Sequence, residues 1–489
     1  MSTPSVADAA VIAAPKASTA RVPLCVDLDG TLTPVDTLHE SLLGLARQAP
    51  AALWRLPLWL SQGKARLKRE VASRIAFDAA RLPLNPQLLG WLKEEHAQGR
   101  RLVLATAADA KIAEHVATHV GLFDQVIASN GESNLSAETK TAALVKHFGM
   151  RGFDYVGNES TDEPVWAAAN KAIVVGGSRQ AERASRVAQV ERVFPGPNST
   201  AMTWIKAMRL HQWVKNVLIF LPALLAHKIL MPAVLFKSVL AFVAFGLCAS
   251  SVYLINDLLD LTADRHHPRK RMRPFASGAL SAQSGLAAAF ALLLSGAALA
   301  VLVNWQFAGV LAGYYVLTWT YSLRLKRAAL VDVMTLAGLY TIRIIAGAAA
   351  TAIPLSFWLL AFSIFIFLSL GFVKRYTELD DARQEGGAEN RGRGYRPADL
   401  PLLMNLGIAA GYCTVVVMAL YINSTDSQSL YRHNKPLWLV CPLLLYWISR
   451  IWLLTTRGQM HDDPVVFALR DRMSLLVLGL VGLFVLLSI

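Results

Sequence analysis

The feature that most constrains this chain is a series of long apolar segments that begins after Trp204 and continues to the C-terminus. A helix of about 20 apolar residues can cross the hydrocarbon core of a bilayer, and we count about nine such segments. Within lipid, a helix satisfies all of its own backbone hydrogen bonds. The sequence therefore predicts an all-α polytopic membrane bundle of about nine transmembrane helices. The approximate helix centres are Phe220, Phe245, Leu293, Gly313, Gly338, Phe365, Tyr412, Leu444 and Leu478.

The loops between these segments indicate how the bundle is oriented. The connections after the second, fourth, sixth and eighth segments are basic, as in DRHHPRKRMRP and SLRLKR. Those after the third and fifth, which contain NWQF and TAIPLS, carry no charge. Because basic loops stay on the cytoplasmic side, we expect an integral protein of the inner (cytoplasmic) membrane. Its N-terminal part would be cytoplasmic and its C-terminus outside.

The composition excludes other classes of protein. The formal net charge of +14 would suit nucleic acid. The Lys and Arg residues, however, are concentrated in short loops between apolar segments, where they act as topology signals or phosphate ligands. We expect no nucleic-acid partner. The cysteines are too far apart to indicate a zinc cluster or a disulfide framework, and the oligomeric state stays open.

The chain changes character near residue 200. Before that point, charged and apolar stretches alternate as they do in a soluble domain, whereas afterwards apolar runs dominate. We predict a disordered tail over residues 1–22, an α/β domain over 23–200 and the membrane domain over 201–489. Residues from about 38 to 88 have a helical pattern and follow the first predicted strand, so they are expected to form a small helical cap.

Oxygen-bearing side chains cluster where the second apolar segment ends, in NDLLDLTADRHHPRKRMRP. If the helix continues, turning about 100° per residue, Asn256, Asp257, Asp260 and Asp264 share one face. Carboxylates at membrane depth are costly unless a cation neutralises them, and oxygen ligands suit Mg²⁺ that is shared with substrate phosphates. The alternative is a solvated helix end that forms salt bridges with the basic residues that follow it. The spacing favours the magnesium site.

This pattern resembles the NDxxDxxxD motif of the UbiA superfamily of intramembrane transferases, and the match is complete. The resemblance covers about residues 204 to 489 and implies diphosphate binding through Mg²⁺. Flanking stretches such as LHQWVKNVLIFLPALLAHK and KRYTEL resemble one branch of that superfamily. This branch transfers 5-phosphoribose from phosphoribosyl pyrophosphate to polyprenyl phosphate. Where aromatic prenyltransferases have a second acidic motif, this chain has Lys374, Arg375 and Glu378.

The resemblance implies that cationic side chains hold the phosphates of the substrates. Arg343 and Lys374 lie in or beside strongly apolar stretches, where a charge needs a partner. Lys326 serves equally well as a topology signal, and Lys215 can extend to the membrane surface. The substrate-binding residues implied are Lys215, Arg265, Lys270, Lys326, Arg343, Lys374, Arg375 and Glu378.

A second motif stands near the N-terminus, in VPLCVDLDGTLTPVDT. A short apolar run followed by two acids is typical of a strand that delivers ligands to the carboxyl edge of an α/β sheet. The segment resembles the first motif of haloacid-dehalogenase (HAD)-type phosphatases. This resemblance implies a Rossmannoid α/β fold, in which Asp27 is the nucleophile and Asp29 is the general acid and base.

Three further motifs follow in the order that the HAD family has. Thr106 in RLVLATAAD would contact the phosphoryl group, and Lys140 in SAETKTAALV would stabilise its charge. The segment FDYVGNESTDEP would complete a magnesium site formed by Asp27, Asp29, Asn158 and Asp162. The family usually has an acid where this chain has Asn158, and this departure puts the activity in doubt.

The two motifs together predict Mg²⁺-dependent transfer of 5-phosphoribose, after which the N-terminal domain removes the 5-phosphate to give polyprenyl-phosphoryl ribose. Two alternatives stay open. NDLLDLTAD alone would equally serve a prenyltransferase that uses an allylic diphosphate and a small or aromatic acceptor. In that case the N-terminal domain would be non-catalytic or regulatory. Asn158 favours this alternative, whereas the intact pair of Asp27 and Asp29 opposes it.

Overall fold

The computed structural model describes residues 21–196, 199–267, 269–384, 394–460 and 463–489. The chain divides into two compact units. The first extends to Thr200 and also takes in Leu259–Gln283, whereas the second comprises Ala201–Leu258 and Ser284–Ile489. Most of the predicted tail, residues 1–22, lies outside the described residues, and the predicted domain limits stay predictions.

The first unit is built on a parallel sheet of six strands in the order β3-β2-β1-β4-β5-β6. The central strands are short, apolar and buried, as expected for a parallel sheet that is covered on both faces. In register, Leu24 of β1 pairs with Leu102 of β2 on one side and with Asp154 of β4 on the other. The strands are β1 Leu24–Val26, β2 Leu102–Asp109, β3 Gln125–Ser129, β4 Asp154–Gly157, β5 Ala172–Val175 and β6 Val190–Phe194.

Helices connect these strands, and three of them, α1 to α3, form an insertion between β1 and β2. This insertion has its own apolar core, which includes Leu45, Trp59 and Val71. The helices are α1 Thr37–Gln48, α2 Leu56–Ser61, α3 Lys64–Ala72, α4 Pro86–Ala97, α5 Ala110–Val120, α6 Ala137–Phe148, α7 Glu163–Ala168 and α8 Ser178–Ser185. Short 3-10 helices lie at Pro50–Arg55, Ala79–Arg81 and Ser160–Asp162.

The second unit is helical. It contains α9 Ala201–Ala207, a 3-10 helix Leu210–Phe220 that continues into α10 Leu221–Leu225, and α11 Pro232–Leu259. The segment Leu259–Gln283, which belongs to the first unit, contains α12 Leu261–His266 and the 3-10 helix Lys270–Met272. The remaining α-helices are α13 Ala282–Val303, α14 Trp305–Leu323, α15 Val331–Thr351, α16 Phe357–Gln384, α17 Leu400–Ile422, α18 Thr425–Leu430, α19 Val440–Thr456, α20 Pro464–Ala468 and α21 Arg472–Leu486. Further 3-10 helices lie at Leu325–Arg327, Pro397–Asp399 and Pro436–Leu439.

Six of the described helices are long and apolar enough to cross a membrane. Nine spans are therefore not confirmed, although each of the nine predicted centres lies in a helical segment. Gly313 lies in α14, which carries several Tyr and Trp residues, and Phe220 and Leu478 lie in shorter apolar helices. The six helices contain the predicted centres Phe245, Leu293, Gly338, Phe365, Tyr412 and Leu444.

Candidate functional site

The first candidate site lies at the carboxyl edge of the parallel sheet. The strand order reverses between β1 and β4, the place where open α/β sheets bind their ligands. Asp27 directly follows β1, and Asn158 directly follows β4. Thr106 lies in the second half of β2, which flanks β1 on its other side, and is buried. Residues far apart in the sequence are thus brought to one edge.

Lys140 on α6 reaches the same edge and lies between two acids. Its Nζ donates to Asp27 Oδ1 at 2.9 Å and is 3.7 Å from Asp162 Oδ1. The Tyr155 hydroxyl accepts a hydrogen bond from Lys140 at 2.8 Å and donates one to Asp162 at 2.9 Å. All four side chains are buried. Sequence reasoning missed Tyr155, since nothing distinguishes it from the apolar residues of β4.

Burial governs the ionisation of this site. It raises the pKa of Asp27 to about 7, against the lowering effect of Lys140. It raises the pKa of Asp29 to about 6, to which Asp36 adds, although Asp29 accepts the backbone N–H of Thr37 at 2.8 Å. Burial disfavours the charge on Lys140, but Asp27 and Asp162 hold its pKa above the ordinary value. An acid that titrates near neutrality, such as Asp29, can give and take a proton during catalysis.

Asn158 lies against the loop that follows Asp27. Its Oδ1 accepts a hydrogen bond from the Thr31 hydroxyl at 3.0 Å. Gly30 has a φ of +73°, and a Cβ there would come within 2.2 Å of the Asn158 amide nitrogen. This close approach therefore requires glycine both for its backbone conformation and for its missing side chain.

The oxygen donors at this edge fit a weakly held magnesium ion. Among the residues that the structure describes, no three His, Cys, Asp or Glu side chains are grouped to hold a metal. Asp162 Oδ2 accepts the backbone N–H groups of Asn158 and Glu159, at 3.0 and 3.1 Å, so this carboxylate orders the loop. The Asp27 carboxylate and the Asn158 amide oxygen supply donors. Mg²⁺ often takes one or two carboxylates and completes its shell with water and substrate phosphate.

Lys68 on α3 is a further cation at this site. Its Nζ donates to the Ala107 carbonyl at 2.6 Å and to Asn134 Oδ1 at 2.9 Å. Burial lowers its pKa, whereas Asp29 and Asp36 act in the opposite direction. An ammonium group so placed can attract a substrate phosphate. Sequence reasoning missed it, and its only signal was the basic run KARLKRE within the predicted cap.

The second candidate site begins at the end of α11 in the membrane unit. Asp257 is buried, and its Oδ1 accepts a hydrogen bond from Arg209 Nη2 at 2.5 Å. The Asn256 amide donates to the Ser322 hydroxyl at 3.2 Å. This carboxylate therefore has a cationic partner within the membrane unit. Arg209 was missed because it lies in a basic linker, far from the motif in sequence.

The second half of the motif lies in the segment Leu259–Gln283. The helix expected to be continuous is interrupted at Asp260, since α11 ends at Leu259 and α12 begins at Leu261. The backbone N–H of Asp264 still donates to the Asp260 carbonyl at 2.8 Å. The side chain of Asp264 accepts a hydrogen bond at Oδ2 from Arg273 Nη1, at 2.7 Å.

Three predicted phosphate ligands lie close to one another within the membrane unit. Lys215 and Lys374 both donate to Asp463 Oδ2, at 2.7 and 3.4 Å, and the Tyr340 hydroxyl donates to the same carboxylate at 3.2 Å. Burial favours protonation of Asp463, but Lys374 and Lys215 outweigh it and hold its pKa well below the ordinary range. Arg343 lies over the Tyr340 ring at 5.8 Å.

Arg343 is itself buried. Its Nε donates to Asn216 Oδ1 at 3.0 Å, and its guanidinium lies over the Phe245 ring at 5.0 Å. Asp463 was missed because the loop that carries it, TTRGQMHDDP, gives no sign of the lysines that it meets.

The other predicted ligands lie elsewhere. Arg375 is buried, and its guanidinium donates hydrogen bonds to Asp332 and, at 2.5 Å, to Glu378. It also donates to the Tyr321 hydroxyl at 2.8 Å. The Tyr395 hydroxyl donates to Asp332 at 2.5 Å. This network gives the Arg375 and Glu378 pair internal partners. Three cations remain. Lys326 is half-buried in the 3-10 helix Leu325–Arg327, Lys270 is exposed in the 3-10 helix Lys270–Met272, and Arg265 is half-buried in α12.

Comparison with known proteins extends these observations. The UbiA prenyltransferase family matches residues 217–478. The uncharacterized protein y4nM of Sinorhizobium fredii is 38% identical over 473 residues, which cover 94% of this chain and 90% of that protein. A decaprenyl-phosphate phosphoribosyltransferase of Mycobacterium tuberculosis is 34% identical over 274 residues, 55% of this chain and 88% of that protein. A UbiA homolog from Archaeoglobus fulgidus, solved with GPP and Mg²⁺, is 16% identical, with a TM-score of 0.45 over 58% of this chain and 99% of that one.

The apolar helices, with acids and cations buried among them, define a membrane transferase. It is joined to an N-terminal α/β unit, called here the HAD-type unit because its strand order and its acids at the sheet edge agree with the resemblance to HAD-type phosphatases. The chain belongs to the UbiA prenyltransferase family. The alignment with y4nM covers both units, so that relative shares the two-unit arrangement.

Proposed function

We propose that the membrane unit transfers 5-phosphoribose from phosphoribosyl pyrophosphate to polyprenyl phosphate, and that the HAD-type unit then removes the 5-phosphate. The product would be polyprenyl-phosphoryl ribose. The observation that carries the proposal is the pair of lysines on Asp463. Lys374 lies where aromatic prenyltransferases have a second acidic motif, and its ammonium group meets that of Lys215 at one carboxylate oxygen, so two cations that could hold a phosphate are close together. The similarity to decaprenyl-phosphate phosphoribosyltransferases supports the same assignment.

The transfer would proceed by displacement at the anomeric carbon. An oxygen of the polyprenyl phosphate attacks that carbon, and the bond to pyrophosphate breaks with its electron pair on the leaving oxygen. The nucleophile is already an anion, so the site needs no strong general base. A magnesium ion held by Asn256, Asp257, Asp260 and Asp264 would neutralise charge on the leaving pyrophosphate. Lys215, Arg343 and Lys374 would hold the 5-phosphate or the lipid phosphate.

The HAD-type unit would act on the ribose 5-phosphate of that product. Asp27 attacks phosphorus, while Asp29 donates its proton to the departing ribose oxygen. Asp29 then accepts a proton from water as that water attacks the aspartyl-phosphate, which releases inorganic phosphate and restores Asp27. Lys140 bonds to Asp27 and would stabilise the charge of the transferring group. Thr106 would orient that group, and magnesium would lie beside Asp27 and Asn158.

The proposal includes a location and an orientation. Basic loops follow the second, fourth, sixth and eighth predicted segments, which supports an inner-membrane protein with the HAD-type unit in the cytoplasm and the C-terminus outside. A soluble sugar diphosphate would then reach the Asp-rich motif from the cytoplasm. The polyprenyl chain would stay in the bilayer.

The deciding experiment is transfer of radiolabel from phosphoribosyl pyrophosphate into lipid by detergent-purified protein with Mg²⁺ and polyprenyl phosphate. We expect label in the organic phase and loss of nearly all of it in Asp257→Asn. The matched control is Asp426→Asn, which makes the same change at an exposed acid on α18. If no label is transferred while the protein consumes an allylic diphosphate, the assignment is wrong and the protein is a prenyltransferase.

A further inference from the structure

The segment Leu259–Gln283 packs within the HAD-type unit, although it carries the second half of the transferase motif. Phe275, Ala276 and Leu280 are buried. Gly278, with a φ of +76°, comes so close to Pro34 that a Cβ would lie 2.5 Å from the proline ring. Pro34 belongs to the loop that follows the phosphatase acids. The segment therefore packs closely against the rest of this unit.

An ion pair fixes the segment at the motif itself. Arg265 directly follows Asp264, and its two terminal nitrogens donate to the two carboxylate oxygens of Glu40, at 2.9 and 2.8 Å. Its third nitrogen donates to the Ala276 carbonyl at 3.0 Å. The two side chains are only 8% and 12% exposed. A two-pronged pair with so little solvent is among the stronger ionic contacts in proteins.

The position of Glu40 connects it to the phosphatase acids. It lies in the first turn of α1, where its N–H donates to the Asp36 carbonyl at 3.1 Å. Helix α1 begins at Thr37, whose N–H donates to Asp29. A short hydrogen-bonded path thus runs from Asp29 to Glu40 and on to Arg265. On the same helix, Arg47 donates to the Thr262 hydroxyl at 2.8 Å.

We propose that Glu40 is a positioning residue for the transferase. It holds Arg265, and through it the turn that carries Asp260 and Asp264, in the shape needed to bind magnesium. This inference rests on the proposed function of the motif. It changes the role expected of Arg265: a guanidinium that already uses three of its five N–H groups on Glu40 and Ala276 acts here as a structural tether, whereas the sequence predicted a pyrophosphate ligand. The HAD-type unit thereby becomes necessary for transfer, independently of any phosphatase chemistry.

The test begins with hydrogen exchange, which needs no activity. In the full chain, Glu40→Gln keeps the length of the side chain and removes its charge. We expect amides in Leu259–Gln283 to exchange about tenfold faster or more. Glu70→Gln is the matched control, because Glu70 pairs with Arg66 and Arg74 inside the insertion and should leave this segment unchanged.

Activity supplies the second readout. Loss of a residue that orients metal ligands weakens metal binding about 10- to 100-fold, so the Mg²⁺ concentration for half-maximal label transfer should rise in Glu40→Gln and stay fixed in Glu70→Gln. The double variant in which the two residues are swapped, Glu40→Arg with Arg265→Glu, should restore slow amide hydrogen exchange. It should also restore the wild-type Mg²⁺ concentration for half-maximal label transfer.

Each outcome is decisive. Unchanged exchange in Glu40→Gln overturns the inference. The inference is also overturned if the swapped double variant regains slow amide hydrogen exchange but not label transfer, because Arg265 would then contact the substrate directly. If the wild-type chain transfers no label at all, the proposed function fails, whereas the exchange comparison still decides whether Glu40 holds the segment.

Discussion

At the scale of single residues, Asn158 would determine how strongly the HAD-type unit holds the magnesium ion of the proposed phosphatase reaction. It offers an amide oxygen to the loop that follows Asp27, at Thr31, where a carboxylate would add a negative charge. We predict that Asn158→Asp lowers the Mg²⁺ concentration needed for half-maximal release of inorganic phosphate by about tenfold, since Mg²⁺ prefers charged oxygen ligands. Phosphate release measured across a magnesium titration checks this expectation.

Asn130→Asp is the matched control for that change. The Asn130 Oδ1 accepts the N–H groups of Glu132 and Ser133 in an exposed turn, a role that aspartate can keep. It adds the same charge after β3, which two other strands separate from β4 and residue 158. A magnesium midpoint that shifts equally in both variants would mean that overall charge, and not coordination by residue 158, is responsible.

Site residues that belong to a local sequence motif can be predicted from the sequence. Residues whose role depends on a partner far away in the sequence cannot. Asp27 and Lys140 were both singled out from their motifs, and the structure brings their side chains together. Asp463 was not predicted, because nothing in its loop indicates that the side chain of Lys215, 248 residues away, donates to its carboxylate. Arg209 was missed for the same reason. Such pairs are products of tertiary packing.

At the scale of elements, close packing within the membrane unit depends on Gly347. A Cβ at this position of α15 would lie 2.0 Å from the Ile219 carbonyl oxygen in the 3-10 helix Leu210–Phe220. Gly347→Ala should therefore push the two elements apart and lower the free energy of unfolding by about 1–3 kcal/mol. Thermal unfolding in detergent measures the loss.

Gly338→Ala is the matched control on the same helix, because a Cβ there meets nothing within 4 Å. Alanine favours the helix by about 0.5–1 kcal/mol over glycine, so this variant should be neutral or slightly more stable. Equal destabilisation by both substitutions would show that α15 tolerates no added methyl group anywhere, and that the contact with Ile219 is not special.

Elements were predictable where their pattern is self-contained. The parallel sheet followed from short apolar runs that end in polar residues, and β1 and β4 lie as the motifs require. The break at Asp260 was not foreseen, because periodicity alone extends a helix through any polar residue that fits the face. The count of spans also exceeded what is confirmed. The reason is that centres such as Phe220 lie in helices shorter than a bilayer requires.

At the scale of the whole molecule, the two proposed reactions should separate by mutation. Asp27→Asn removes the proposed phosphatase nucleophile while keeping a side chain of the same size beside Lys140. With labelled phosphoribosyl pyrophosphate, this variant should still place label in lipid but accumulate polyprenyl-phosphoryl 5-phosphoribose. We expect release of inorganic phosphate from that lipid to fall at least about 1,000-fold, since the covalent step is lost.

The control for Asp27→Asn is Glu114→Gln, which neutralises an exposed acid on α5. It should give the dephosphorylated lipid at the wild-type rate. If Asp27→Asn instead leaves phosphate release unchanged, the HAD-type unit is not the phosphatase. If it abolishes label transfer although the fold is intact, the acid is needed by the transferase, and the two reactions are not separate. Only accumulation of the phosphorylated lipid fits a chain in which one unit makes the substrate of the other.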